Sequence, residues 1–271
     1  MQIMNNVMAF DAYRNLNVTN NGLSKSLEKL SSGYRINRAS DDAAGLVISQ
    51  NLRASVSGLK VATRNAQDGV SVVQTAEGAL NEVASMLNRM RDLSVQASNT
   101  GSVDANASSA IQSEINALSS EITRISQSTK FGANTLIDGG FVKVFQVGAN
   151  AGEYITVSLG TSLNASVLGV SGLGVASAGS ASAAITAIDA AITTISSTRA
   201  SLGAFQNRFE SIINNVQTTT ENLSASESRI RDTDMASEMV DFTKRQIMLQ
   251  AGTSMLAQAN QVPTSILKLL Q

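Results

Sequence analysis

The sequence predicts a mainly α fold: a long antiparallel helical bundle or coiled coil, with a small β-hairpin region and amphipathic helices at both ends. Three observations carry this. The 271 residues include a single proline, Pro263, so little in the chain forces a helix to stop. Apolar residues recur at three- and four-residue spacing over very long stretches, which is the helical period. Only one short region, around residues 141–159, alternates with the period of two that a strand requires.

The elements follow in order. Ile3, Val7 and Phe10, then Leu16, Leu23, Leu27 and Leu30, mark an amphipathic helix that stops at Ser31-Ser32-Gly33. Gly33 can take the positive φ that ends a helix. Ser40 then reads as the N-cap of the next helix. Asp41 and Asp42 fall in its first turn, where carboxylates favour the positive end of the helix dipole. Ala43, Ala44 and Gly45 are small enough to admit a neighbouring helix. From Leu52 to Ala97 one face carries Val56, Leu59, Ala66, Val70, Val73, Leu80, Val83, Leu87 and Met90. Roughly fifty-five helical residues at about 1.5 Å each make a rod of about 80 Å.

A turn-rich break, NTGSVDANAS, precedes Ile111, Ile115, Leu118, Ile122 and Ile125, the cleanest heptad in the chain. So short a connection favours an antiparallel return. Phe141, Lys143 and Phe145 alternate with Val142, Val144 and Gln146. Tyr154, Thr156 and Ser158 alternate with Ile155, Val157 and Leu159, and VGANAGE lies between, so a β-hairpin is expected. The Ser/Gly/Ala-rich stretch from 155 to 188 reads as surface loop with small-residue packing. Helical period resumes with Ile185, Ile188, Ile192, Ile195, Leu202, Phe205, Phe209, Ile212 and Val216. After a polar break, Met235, Met239, Phe242, Leu249 and Leu256 mark the last helix.

Composition limits the chemistry. The chain has no Cys and no His, which removes thiolate metal sites and every His-assisted nucleophile. Catalytic, cofactor-binding and metal-binding residues are therefore assigned to none. The carboxylates Asp232 and Asp234 read as helix caps. A net charge of −1 without a basic run argues against nucleic acid. No secretory signal is recognisable at the N-terminus. No 18-residue apolar stretch is expected to span a membrane, so no membrane insertion is expected.

LSSGYRINRASDDAAGLVIS is similar to the N-terminal signature of bacterial flagellins. The likeness continues through NLRASVSGLKVATRNAQDGVSVVQTAEGALNEVASMLNRMRDLSVQASN and STKFGANTLIDG, and resumes at RIRDTDMASEMVDFTKRQIMLQAGTSMLAQANQ. It covers roughly residues 1–140 and 182–271, both ends in the right order. The resemblance implies a structural subunit of the extracellular flagellar filament, a helical homopolymer that serves motility. It also implies export in unfolded form by the flagellar type III apparatus, which would explain a secreted protein without a signal peptide.

The same resemblance implies a division of the chain. Residues 1–40 would be an N-terminal inner-tube helix and spoke, 41–130 the N-terminal rod helices, and 131–180 the hairpin and small-residue loop. Residues 181–225 would be the C-terminal rod helix and 226–271 the C-terminal inner-tube helix. The terminal helices would pair on polymerisation, and the inner tube would pack through Ile3, Val7, Phe10, Leu16, Leu23, Leu27, Leu30, Met239, Phe242, Leu249 and Leu256. Gly33, Ser40, Asp41 and Asp42 would build the spoke connector. There is no room for the variable outer domains of larger flagellins.

Partners implied are further copies of the chain, an export chaperone at the C-terminus, hook-associated and cap proteins, and the innate immune flagellin receptor. Arg89, Leu93 and Gln96 in LNRMRDLSVQ, with Glu114 in IQSEI, match receptor-contact positions of the family. Met86, Arg89, Leu93 and Gln96 are expected on a stripe one round from the core face, free for a receptor or a neighbouring subunit. The alternative within the same assembly is the hook–filament junction protein, which shares the N-terminal signature.

Overall fold

The computed structural model describes residues 6–99, 101 and 104–269, with side chains up to residue 262. The chain forms helices α1 (Val7–Ser32), α2 (Ala43–Ala97), α3 (Ala105–Ser128), α4 (Ala178–Arg231) and α5 (Met235–Leu269). Between α3 and α4 lie two antiparallel hairpins, β1 (Lys130–Phe131) with β2 (Asn134–Thr135), and β3 (Phe141–Gln146) with β4 (Tyr154–Leu159). Two compact units result: a central unit, Val56–Glu221, and a terminal unit, Met1–Ser55 with Asn222–Gln271.

The central unit owes its bundle to heptads. On α2 the buried positions Ala62, Ala66, Gly69, Val73, Ala76, Leu80, Val83, Leu87, Met90, Ser94 and Ala97 alternate steps of four and three. On α4 they are Ala181, Ala184, Ile188, Ala191, Ile195, Leu202, Phe209 and Val216. Arg91 Nε to Asp189 Oδ1 at 2.7 Å and Arg199 Nη2 to Glu77 Oε1 at 3.8 Å show that α4 runs antiparallel to α2. At Gly69 a Cβ would stand 2.7 Å from the Phe209 ring, so this glycine makes room for the largest side chain of the bundle core. Asp104 caps α3 by accepting from Ala107 N at 2.7 Å. The expected antiparallel return of α3 is present, with Arg89 on α2 meeting Glu114 on α3.

The hairpin expected at 141–159 is present, with Phe141 opposite Leu159 and Gln146 opposite Tyr154. As the alternation requires, Ile155, Val157 and Leu159 are buried while Tyr154, Thr156 and Ser158 face out. Phe145 meets Phe209 edge to face, centroids 5.6 Å apart. The short β1–β2 hairpin lies in a stretch that shows no period of two.

Two expectations are corrected here. The segment 160–177 is not simply a surface loop, because Leu163, Ala165, Leu168, Val170 and Val175 are buried in the core. Side chains of α3 tie it down: Gln112 Nε2 donates to Leu173 O at 2.7 Å, and Gln112 Oε1 accepts from Val175 N at 2.8 Å. Its serines and glycines are where the chain turns between these apolar anchors. Secondly, α4 does contain an 18-residue window apolar enough by length and composition to cross a membrane, with mean hydropathy 1.3. Only 28% of that window is buried; in the same helix Ile188, Ala191 and Ile195 belong to the bundle core.

Candidate assembly interface

In the terminal unit α1 and α5 pair antiparallel, and four contacts fix the register. Asn6 Nδ2 donates to Ala259 O at 2.8 Å, Gly252 lies against Leu16, Gly22 against Arg245, and Lys29 Nζ reaches Glu238 Oε2 at 3.7 Å. The seam is a heptad on both sides: Ala9, Ala12, Leu16, Thr19, Leu23, Ser26 and Leu30 on α1, and Glu238, Phe242, Arg245, Leu249, Gly252, Leu256 and Ala259 on α5. A Cβ at Gly22 would overlap the Arg245 guanidinium, so glycine is what allows that side chain to cross α1. The sequence expects this pairing on polymerisation; the single chain already carries it, because the heptads of its two ends are complementary within one molecule.

The inner-tube residues therefore divide. Leu16, Leu23, Leu30, Phe242, Leu249 and Leu256 are half-buried in the seam. Val7, Phe10, Leu27 and Met239 are not in it; Phe10 is 68% exposed. The helical phase separates the two sets: steps of seven from Leu16 reach Leu23 and Leu30, whereas Val7, Phe10 and Leu27 fall on flanking rows. Ile3 lies outside the described residues. Val18, Val240, Ile247, Met248 and Met255 add to the uncovered apolar surface.

The connector between α1 and α2 departs from the expected cap. Gly33 does end α1, with φ 74° and its N–H donating to Lys29 O at 2.8 Å. The N-cap of α2, however, is Asp42 and not Ser40: Asp42 Oδ1 accepts from Gly45 N at 2.9 Å. Ser40 sits two residues too early, in the turn. Asp41 is not in the first helical turn either. Its Oδ2 accepts from Arg38 N at 3.0 Å and Asn37 N at 3.3 Å, closing the preceding turn. Those backbone bonds, Arg38's foremost, hold the Asp41 carboxyl below its ordinary value, with Lys25 and Lys29 adding to the effect. Gly45 makes room for the Asp42 cap and for the Ile36 side chain, the latter 2.8 Å from where a Cβ would stand; that close approach is what needs its smallness.

Residues the sequence did not flag complete the connector. Gly33–Arg35 pairs with Arg231–Thr233 as a short antiparallel ladder: Arg35 N donates to Arg231 O at 2.6 Å and Thr233 N to Gly33 O at 2.9 Å. Arg35 Nη2 also donates to Ile230 O at 2.6 Å, and the Arg231 guanidinium lies over Tyr34. These partners are some two hundred residues apart, so no local spacing could have revealed them. Asp234 caps α5, accepting from Ala236 N at 3.0 Å, and Asp232 accepts from Ser228 Oγ at 2.7 Å. Both carboxylates thus have structural partners.

In the central unit, Arg89 and Glu114 are brought together, Nη2 to Oε1 at 2.7 Å, and Gln96 is exposed on the same helix. Leu93 is different. It is 2% exposed and belongs to the core with Met90 and Ala97, which corrects its placement off the core face. A second row, Val72, Ala79, Met86 and Leu93, runs beside the main heptad at sevenfold spacing. Because α2 has α3 on one flank and α4 on the other, its buried face is wider than a single a/d stripe.

Complementary terminal heptads, flanked by exposed apolar rows, define a helical protein whose two ends pair along one seam. Family models for the bacterial flagellin N-terminal helical region and the bacterial flagellin C-terminal helical region match residues 3–141 and 185–270. The flagellin of Halalkalibacterium halodurans is 48% identical over 273 residues, covering 100% of both chains. That of Bacillus subtilis is 44% identical over 310 residues, again covering 100% of both. The crystal structure of Bacillus cereus flagellin is 28% identical with a TM-score of 0.51, covering 60% of this chain and 94% of that one. The chain belongs to the bacterial flagellin family. It is accordingly a structural subunit of the extracellular flagellar filament.

Proposed function

We propose that the chain is a filament-forming subunit whose inter-subunit contacts are built chiefly by the open rows of α1 and α5. The observation that carries this is the set Val7, Phe10, Val18, Leu27, Val240, Ile247, Met248 and Met255, exposed beside an already satisfied seam. Covering a Val, Leu, Phe or Met side chain contributes about 1.5–3 kcal/mol each, so neighbouring copies would gain most there. Deleting the chain from Met235 onward tests the reading. The truncated protein is expected not to elongate filament seeds while the central bundle keeps its helical circular dichroism. Elongation at the native rate would refute it.

Family membership supports further proposals. Export in unfolded form, with a chaperone engaging the C-terminal segment, suits a chain whose α5 exposes so much apolar surface. The filament ends are where hook-associated and cap proteins would meet the same rows. Arg89, Glu114 and Gln96 form a polar patch that suits a receptor or subunit contact, with the buried Leu93 supporting it from below. No catalytic role is assigned to a chain with neither His nor Cys. A gel of filaments sheared from cells separates a major subunit, which dominates the lane, from a hook–filament junction protein, which would barely register.

A further inference from the structure

The chain contains nine methionines, and all but Met86 and Met90 lie in its terminal segments. Met90 is fully enclosed in the central core and Met86 is packed against it. Met8, Met235, Met239, Met248 and Met255 are instead between 42% and 67% exposed. On α5, Met235 and Met239 lie on one side of the α1 seam and Met248 and Met255 on the other, each about 70–110° round from it. Among the described residues the seam contains no methionine. With no cysteine, histidine or tryptophan in the chain, these thioethers are the most readily oxidised accessible groups among the described residues.

We propose that the exposed methionines of α1 and α5 are a peroxide-responsive modification site that sets whether the subunit can join a filament. The inference rests on the reading that the rows flanking the seam are covered on assembly. In the step itself the thioether sulfur attacks a peroxide oxygen. An S–O bond forms, the O–O bond breaks and water leaves, so the sulfur is oxidised by two electrons and the peroxide reduced. The sulfoxide is a strong acceptor on a surface that must shed water to be covered, and a polar group buried without a partner is disfavoured. A dithiol acting through methionine sulfoxide reductases reverses the change, giving thioether, disulfide and water. The seam is untouched, so the α1–α5 pair survives oxidation while its flanks turn polar.

The test uses full-length protein, hydrogen peroxide, peptide mass spectrometry and growth on filament seeds. The five named methionines are expected to oxidise at least about tenfold faster than Met90, and seeded growth to fall at least about tenfold. Sulfoxide reductases with dithiothreitol should restore growth. A variant carrying Met8→Leu, Met235→Leu, Met239→Leu, Met248→Leu and Met255→Leu should grow after peroxide at its own rate before treatment, whatever that rate is. Oxidised native protein elongating seeds normally would overturn the proposal, as would growth that the reductases fail to restore. So would a variant arrested by peroxide as fully as the native chain. Failure of untreated native protein to grow on seeds is a separate result, and it would overturn the filament reading itself.

Discussion

The guanidinium of Arg231 lies 4.3 Å from the centre of the Tyr34 ring, joining the end of α4 to the start of the α1–α2 connector. Around that stack the backbones of Gly33–Arg35 and Arg231–Thr233 exchange hydrogen bonds. The two connectors therefore close on one another and not only on their own helices.

Tyr34→Ala should loosen this clasp. A cation–π contact contributes about 0.5–2 kcal/mol depending on desolvation, and the ladder beside it is short. Hydrogen exchange at the Arg35 and Thr233 amides is expected to accelerate, while the amides of Ile188 and Leu87 in the central bundle keep their protection. Tyr34→Phe, which retains the ring, should behave like the native protein.

Leu93→Ala should destabilise the central bundle by about 2–5 kcal/mol, as truncations of enclosed leucines do. Arg89→Ala removes only a partly exposed ion pair with Glu114, and such pairs contribute about 0–1 kcal/mol. Thermal melting of the two full-length variants separates them. A native melting curve for Leu93→Ala would place this side chain outside the core.

Gly69→Ala introduces a methyl 2.7 Å from the Phe209 ring. Overpacking of this kind costs about 1–3 kcal/mol, and pairing it with Phe209→Leu should recover part of the loss. Urea unfolding of the single and double variants gives the coupling directly. Strict additivity would show that the two residues do not share the space.

The hairpin turn should respond to acid. The Glu153 carboxyl is held below its ordinary 4.5 first by the Asn150 side chain, then by the Asn150 backbone N–H. A carboxyl lowered in the folded state stabilises the fold above its ordinary value, and that contribution disappears as pH falls through the lowered one. The Val147 amide, bonded to Glu153 O at 2.9 Å, is expected to lose protection below that range and to hold it between about pH 5 and 9. Glu153→Gln should remove the acid dependence.

The sequence by itself determined the five helical stretches, the β3–β4 hairpin and the heptads, because these are local periodicities; it did not give the extent of α4, which runs on to Arg231 through the polar stretch read as a break. Ile111 to Ile125, Ile188 to Val216 and Ile155 to Leu159 each announce their buried face through spacing alone. Composition likewise removed histidine and thiolate chemistry, and long matching stretches at both ends pointed to the family. Which apolar residue is covered was a different matter. Leu93 is enclosed because α2 has helices on two flanks, and Phe10 is open because α5 takes only one face of α1. Periodicity gives the phase of a stripe, whereas the number of neighbours decides its width. Only tertiary structure could put Tyr34 against Arg231, give the α2 cap to Asp42 in place of Ser40, and draw Leu163 to Val175 into the core. Each depends on groups brought together by the fold, whose meeting leaves no mark in local spacing.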